Sequence, residues 1–235
     1  MTSKTTLSNQ QITRLAIPAI IAGISEPILS LTDAAIVGHI SSNATESLAA
    51  VGIVSSFLSM LIWVLGQSRS AMSAIISQYL GADKLKDVQN LPAQAIGIII
   101  VLSLFICGAT LPFSEAIFKF YNATGILLDY SVDYYKIRII GFPFTLYTFA
   151  VFGVFRGLQN TYHPMIVAII GALSNIILDF ILVYGITGVM DPMNLKGAAL
   201  ASVFAQMIMA LLSTILILKN TTISFIFPLK SMIFK

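Results

Sequence analysis

The chain has 235 residues, 57% hydrophobic and only 10% charged, with mean hydropathy +0.91 and formal net charge +3. Soluble domains carry about 25% charged and about 45–50% apolar residues, so this composition excludes an ordinary soluble enzyme or binding domain and describes a polytopic membrane protein. The basic balance calls for no nucleic-acid partner, since cytoplasmic loops of membrane proteins carry excess Lys and Arg.

Six apolar segments occupy 12–40, 47–80, 90–113, 131–158, 164–187 and 195–218. They predict an all-α polytopic bundle of six transmembrane helices over 1–218. A basic cytoplasmic tail, 219–235, reads as the start of a linker. The joins are short and polar (SSNATES, GADKLKDVQ, FYNATGILLDYSVDYYK, LQNTYHP, MDPMNLKG), which makes sequence neighbours antiparallel. The polar start MTSKTTLSNQQ leads into the first segment without a small-residue cleavage site, so no cleavable signal peptide is expected.

The first segment, ITRLAIPAIIAGISEPILSLTDAAIVGHI, carries Pro18, Glu26, Pro27 and Asp33. About 20 apolar residues cross a bilayer, and a charge at mid-membrane costs roughly 2.5–3.5 kcal/mol on insertion scales. Glu26 and Asp33 are seven residues apart, so a helix places them on one face, about two turns from each other. That face predicts a polar interior. Each proline removes a helical hydrogen bond and marks a point of bending or a fixed kink. Glu26 either lines the cavity of Asp33 or pairs with Arg69 or with a carbonyl freed by Pro27.

The second segment is too long for one perpendicular crossing. It reads as a membrane part over 48–65 and an extension over 66–80. Arg69 there reads as an interfacial, snorkelling side chain. Met60 and Trp63 in this segment, with Phe142, Phe144, Tyr147 and Phe149 in the fourth, are adaptable surfaces suited to a pocket for flat apolar compounds. The alternative is that they face lipid or neighbouring helices. Cys107 in the third segment is the only cysteine, so it forms no intrachain disulfide.

In the fifth segment, Gly171, Asn175 and Asp179 are spaced by four and form a small-polar-acidic stripe. Among Ile, Leu, Val and Ala, such a stripe points at protein or water. Two membrane carboxylates, Asp33 and Asp179, with Asn175 beside them can hold a proton or a sodium ion. The blander reading has each aspartate hydrogen-bond a neighbouring helix to fix packing. His39 and His163 lack partners at ligand spacing, and no metal or other cofactor is expected.

Basic residues orient the bundle. With the N-terminus inside, nine of the thirteen Lys and Arg are cytoplasmic; Lys119, Lys136, Arg138 and Lys196 are outside. GxSxG, HExxH, P-loop and strand-anchored GxGxxG patterns are missing from the sequence. The expectation is a secondary active transporter and not an enzyme.

LAIPAII followed by EPILSLTDAAIVGHI, LAAVGIVSSFLSMLIW with ISQYLGADK, IRIIGFPF, VFRGLQNTYHP, NIILDFILVYG and KGAALASVFAQ keep order and spacing along nearly the whole chain. In this they resemble the N-terminal six-helix lobe of multidrug and toxic compound extrusion (MATE) transporters, most closely the DinF-like branch. The resemblance implies a multi-pass protein of the bacterial inner membrane that exports organic, often cationic, drugs or metabolites against entering protons or sodium. It implies ion coupling at Asp33, Asn175, Asp179 and Ser202, and a helix bend at Pro18. It places Glu26 and Tyr134 at the cavity, where relatives frequently have an amide in place of Glu26. The family's proteins have twelve helices in two lobes, whereas this chain matches one. The missing C-terminal lobe or a second copy would then complete the clamp, since such sites lie between repeats. Two other readings stay open: a lipid-linked oligosaccharide flippase of related fold, which predicts a strongly cationic lumen, and a non-transporting scaffold.

Overall fold

The computed structural model describes residues 8–40 and 43–219. The tail beyond Lys219 lies outside the described residues, as does the side chain of Glu26.

Eight α-helices occupy the described residues: α1 Asn9–Gly38, α2 Ala44–Gly66, α3 Ser68–Gly81, α4 Leu91–Thr110, α5 Ser114–Phe120, α6 Gly125–Gly157, α7 Tyr162–Tyr184 and α8 Asn194–Leu218. Six spans are long and apolar enough to cross a membrane, with α2 and α3 forming one of them. The chain is a multi-pass membrane protein. The second apolar segment breaks at Gln67, between α2 and α3. Pro92 stands in the first turn of α4, where its missing N–H costs no helical bond. Asn43 takes a left-handed conformation (φ 50°) ahead of α2, and its amide donates to the Tyr130 hydroxyl at 2.9 Å.

The fourth span starts earlier than its apolar stretch suggests, because α6 begins at Gly125 and carries Asp129 and Asp133 in its first turns. At 33 residues it is about 50 Å long, more than a ~30 Å hydrocarbon core needs. Its first turns therefore extend past the apolar layer, where polar side chains are tolerated. Asp133 there pairs with Lys196 of α8 at 3.1 Å.

The bundle is arranged around α6. In its most apolar stretch 61% of the residues are buried, against 6% for α1. Helices α2, α3, α4 and α8 pack on α6, while α1 packs chiefly on α7. Near one end, Phe57 of α2, Phe118 of α5 and Tyr135 of α6 meet edge-on, with centroids 5.3–6.2 Å apart. Such pairs add about 0.5–1.5 kcal/mol beyond their buried area, enough to hold the seven-residue α5 against the bundle. Tyr135 thus belongs to the packing core.

Pro143 lies inside α6 and cannot donate to the Ile139 carbonyl one turn back. The Cys107 thiol of α4 donates to that carbonyl at 3.5 Å. The backbone acceptor freed by the proline is therefore satisfied from a neighbouring helix, as an apolar surround demands.

Candidate functional site

The sheltered polar centre forms where α1, α6 and α7 meet. Helix α1 is little buried, yet it is fastened to α7 at both ends. The Thr161 hydroxyl, just before α7, donates to the Leu15 carbonyl at 3.0 Å, and the Tyr184 hydroxyl donates to the Ile36 carbonyl at 3.0 Å. Because the starts meet and the ends meet, α1 and α7 run parallel. That direction brings Asp33 and Asp179 to the same level, each five residues before the last residue of its helix.

The two carboxyls lie within hydrogen-bonding reach of each other. Asp179 is fully buried, and its Oδ2 accepts from the Asn175 amide at 2.8 Å. This bond follows from the spacing of four along α7, which stacks the two side chains on one face. Oδ1 of Asp33, Oδ1 of Asp179 and Oδ1 of Asn175 are buried and accept no hydrogen bond from the described residues. A hydrogen bond between two carboxyl groups requires that one carry the proton, since two carboxylates side by side repel. At 4 Å and an effective dielectric of about 20, two like charges cost roughly 4 kcal/mol. The arrangement therefore calls for a proton or another cation.

From α6 come Tyr134 and Arg138, again four apart. Tyr134 is 2% exposed, and the Arg138 guanidinium donates to it. Arg138 also acts electrostatically on both Asp33 and Asp179. Its Nε and Nη1 are buried and have no hydrogen-bond partner among the described residues. The sequence reading counted Arg138, inside the fourth apolar segment, among the basic residues of the outer side and gave it no place at the site. A signal was available: an arginine inside KIRIIGFPF obeys the same rule as an aspartate inside an apolar run.

Helix α8 packs along both α6 and α7 and carries the polar residues Ser202 and Gln206. Ser202 Oγ and Gln206 Oε1 are buried without a partner among the described residues. The Gln206 side chain lies directly against Gly141 of α6, one turn beyond Arg138, in space that any Cβ there would fill.

The remaining sequence-predicted residues lie elsewhere. Pro18 and Pro27 are both inside α1. Met60 is on an exposed face of α2. Tyr147 lines a separate apolar cavity of about 730 Å³ with Pro143, Phe144, Phe204 and Met207, and its hydroxyl is 2.7 Å from that of Thr214. Arg69 stacks over the Phe149 ring at 4.8 Å.

The MatE family profile matches residues 18–181, which includes Pro18, Asp33, Tyr134, Arg138, Asn175 and Asp179. The chain is 28% identical over 215 residues to DNA damage-inducible protein F of Escherichia coli, covering 91% of this chain and 45% of that protein. It is 25% identical over 216 residues to the probable multidrug resistance protein NorM of Thermotoga maritima, covering 90% and 45%. A solved structure described as MATE in the bent conformation superposes with TM-score 0.82 at 23% identity, over 91% of this chain and 46% of that one. The chain spans about half the length of the curated relatives it matches. With the profile covering most of the described bundle, the chain belongs to the MatE family.

Proposed function

We propose that this chain is the N-terminal six-helix half of an ion-coupled antiporter that exports small organic, often cationic, compounds across a bacterial inner membrane. The observation that carries the reading is the meeting of the Asp33 and Asp179 carboxyls across the α1–α7 contact, with acceptor oxygens left unpaired inside a membrane bundle. Intramembrane carboxyls are costly and mark ion pathways. Relatives named as multidrug resistance and multidrug export proteins support the substrate class. Either H⁺ or Na⁺ would be the coupling ion, Asn175 and Ser202 would complete its surround, and a bend of α1 at Pro18 would follow its binding. Glu26, Tyr134, Met60 and Tyr147 are the residues proposed to meet substrate. The second lobe, or a second copy, would close the cavity from the other side.

An oligosaccharide flippase would need a strongly cationic lumen. Arg138 faces two carboxyls and Arg69 lies over Phe149, which does not favour that reading.

The test is efflux of a fluorescent organic cation from vesicles that contain the chain, alone and together with a family C-terminal lobe, with and without an imposed proton or sodium gradient. Gradient-driven efflux that Asp33→Asn abolishes is the expected result. Efflux that survives Asp33→Asn unchanged would overturn the proposal and leave the aspartates as packing groups.

A further inference from the structure

The sequence predicts a pocket for flat apolar compounds among aromatic and methionine side chains of the second and fourth segments. Of those residues the structure keeps Phe144 and Tyr147 of α6 together and joins them to Phe204 and Met207 of α8, around the cavity of about 730 Å³. Drug-sized ligands occupy sites of about 300–1,000 Å³ lined mainly by apolar and aromatic side chains. Asp33 and Asp179 are not part of this lining. Leu178 is, and it stands beside Asp179 in sequence but about 100° around the helix from it. The cavity and the carboxyl cluster therefore use different faces of α7.

Its hydrogen-bonding capacity can be counted. The polar side chains of the lining are two hydroxyls, Tyr147 and Thr214, 2.7 Å apart. Thr214 donates its one hydroxyl proton to the Ala210 carbonyl at 2.8 Å, so Tyr147 is the donor to Thr214. Neither hydroxyl has a proton left for a ligand, and no charged side chain lines the wall. An anion finds no donor there. A permanent cation finds no counter-charge to offset its lost hydration. What the wall does offer is three aromatic rings and a thioether, which give a flat ring system edge and face contacts that plain alkyl side chains lack.

The rim says where such a ligand enters. Phe204, Met207 and Leu211 line the cavity at positions i, i+3 and i+7 of α8, and they are 46%, 42% and 62% exposed. Because α8 is long and apolar enough to span the membrane, its exposed apolar face looks onto hydrocarbon. The cavity thus opens toward the phase in which uncharged apolar compounds concentrate. We propose that it is a second binding site, for uncharged, flat aromatic compounds dissolved in the bilayer, and that it works without the carboxyl pair. The site needs no coupling ion, so it goes beyond the antiport reading and keeps from it only that Tyr147 meets an organic ligand.

The experiment photolabels the chain in lipid nanodiscs with a phenyl diazirine, an uncharged aromatic probe, and maps the labelled residues by mass spectrometry. Labelling within 143–147 and 204–214 is expected to saturate and to be displaced by pyrene. Labelling at Phe105 of α4, 70% exposed, should instead rise in proportion to the probe. A quaternary-ammonium pyrene and a pyrene sulfonate should each compete about a hundredfold more weakly than pyrene, the discrimination expected for a charge at membrane depth. Ala210→Leu crowds the interior and Met207→Trp fills the rim; each should weaken displacement by pyrene about tenfold or more. Met207 is partly exposed, so its variant keeps the test available if Ala210→Leu does not fold. Asp33→Asn and Asp179→Asn should leave labelling unchanged, whichever way the efflux test falls. Cavity labelling that rises without saturating, as at Phe105, would overturn the proposal. So would displacement by the quaternary-ammonium pyrene equal to that by pyrene, or folded rim and interior variants that behave as wild type. Saturable labelling of the same residues by a phospholipid with a diazirine in its acyl chain, undisplaced by pyrene, would also overturn it and make a lipid chain the occupant.

Discussion

The Thr161 hydroxyl donates to the Leu15 carbonyl at 3.0 Å, fixing the stretch of α1 just before Pro18 to the start of α7. A proline loosens the helical bonding of the preceding turn, so this bond anchors α1 where its own hydrogen bonds are weakest. Tyr184 anchors the far end at Ile36. Between the two ties, α1 has little buried surface to restrain it. Thr161→Val, which keeps shape and removes the donor, is expected to cost about 0.5–1.5 kcal/mol. It should speed amide exchange in α1 around Pro18 while leaving α6 protected. Equal exchange in the variant and wild type would show that the tie does not restrain the helix.

Asp179 is expected to respond differently to two substitutions. Asp179→Asn keeps a partner for the Asn175 amide and gives Asp33 a donor, while removing a buried charge. Its thermal stability near neutral pH should equal or exceed wild type. Asp179→Ala leaves the Asn175 amide unpaired and opens a cavity in a fully buried site, at a cost of about 1–3 kcal/mol for the stranded donor alone. Thermal melts in detergent decide the matter. A destabilised Asp179→Asn would mean that the carboxyl's charge, together with Arg138, holds the bundle.

The bond from Cys107 to Ile139 predicts a coupling between helices α4 and α6. Cys107→Ala should destabilise the chain by about 1–3 kcal/mol, the cost of an unsatisfied buried acceptor. Cys107→Ser, whose hydroxyl also donates, should lose less. If the role of Cys107 is to serve the carbonyl freed by Pro143, then Cys107→Ala should cost little once Pro143→Ala has restored the helical donor. A double-mutant cycle reads that difference; additive effects would mean that the thiol contact and the proline are independent.

Hydrophobic runs of some 20 residues made the six spans legible, because a membrane span is a local property of composition. The helix ends were less so: 125–130 contain polar residues that hydropathy treats as loop, although α6 runs through them. Asp33, Asn175 and Asp179 stood out as isolated polar groups, and the structure brings the three together. Arg138 did not, since it was counted with the basic residues that orient the bundle. In the folded bundle it stands on α6 where its charge acts on both Asp33 and Asp179. Tyr134 and Tyr135 are adjacent and identical in type, and no local rule assigns one to the site and the other to the aromatic core. Met60 and Tyr147 were grouped with them by chemistry alone, and the fold distributes them to other surfaces.

Glycine supplies the last test, in the contact of α3 with α6. Gly153 and Gly157 are one turn apart on α6, within GVFRG, the small-xxx-small pattern that lets membrane helices approach closely. A methyl at Gly153 would lie 2.6 Å from the Arg69 carbonyl oxygen, and one at Gly157 would lie 2.7 Å from Ile76 Cβ. The first clash is with backbone, so no rotamer change relieves it and α3 itself must move. Moving α3 would also lift Arg69 from the Phe149 ring. Gly153→Ala is therefore expected to cost about 1–3 kcal/mol through overpacking, despite alanine's better helix propensity. Gly52 in α2 and Gly108 in α4 have open space where a Cβ would stand, so alanine there should be neutral or gain up to about 1 kcal/mol. Melting all three variants side by side separates packing from propensity: a Gly153→Ala variant as stable as Gly52→Ala would mean that α3 shifts freely and that the tight approach is not part of what holds the bundle.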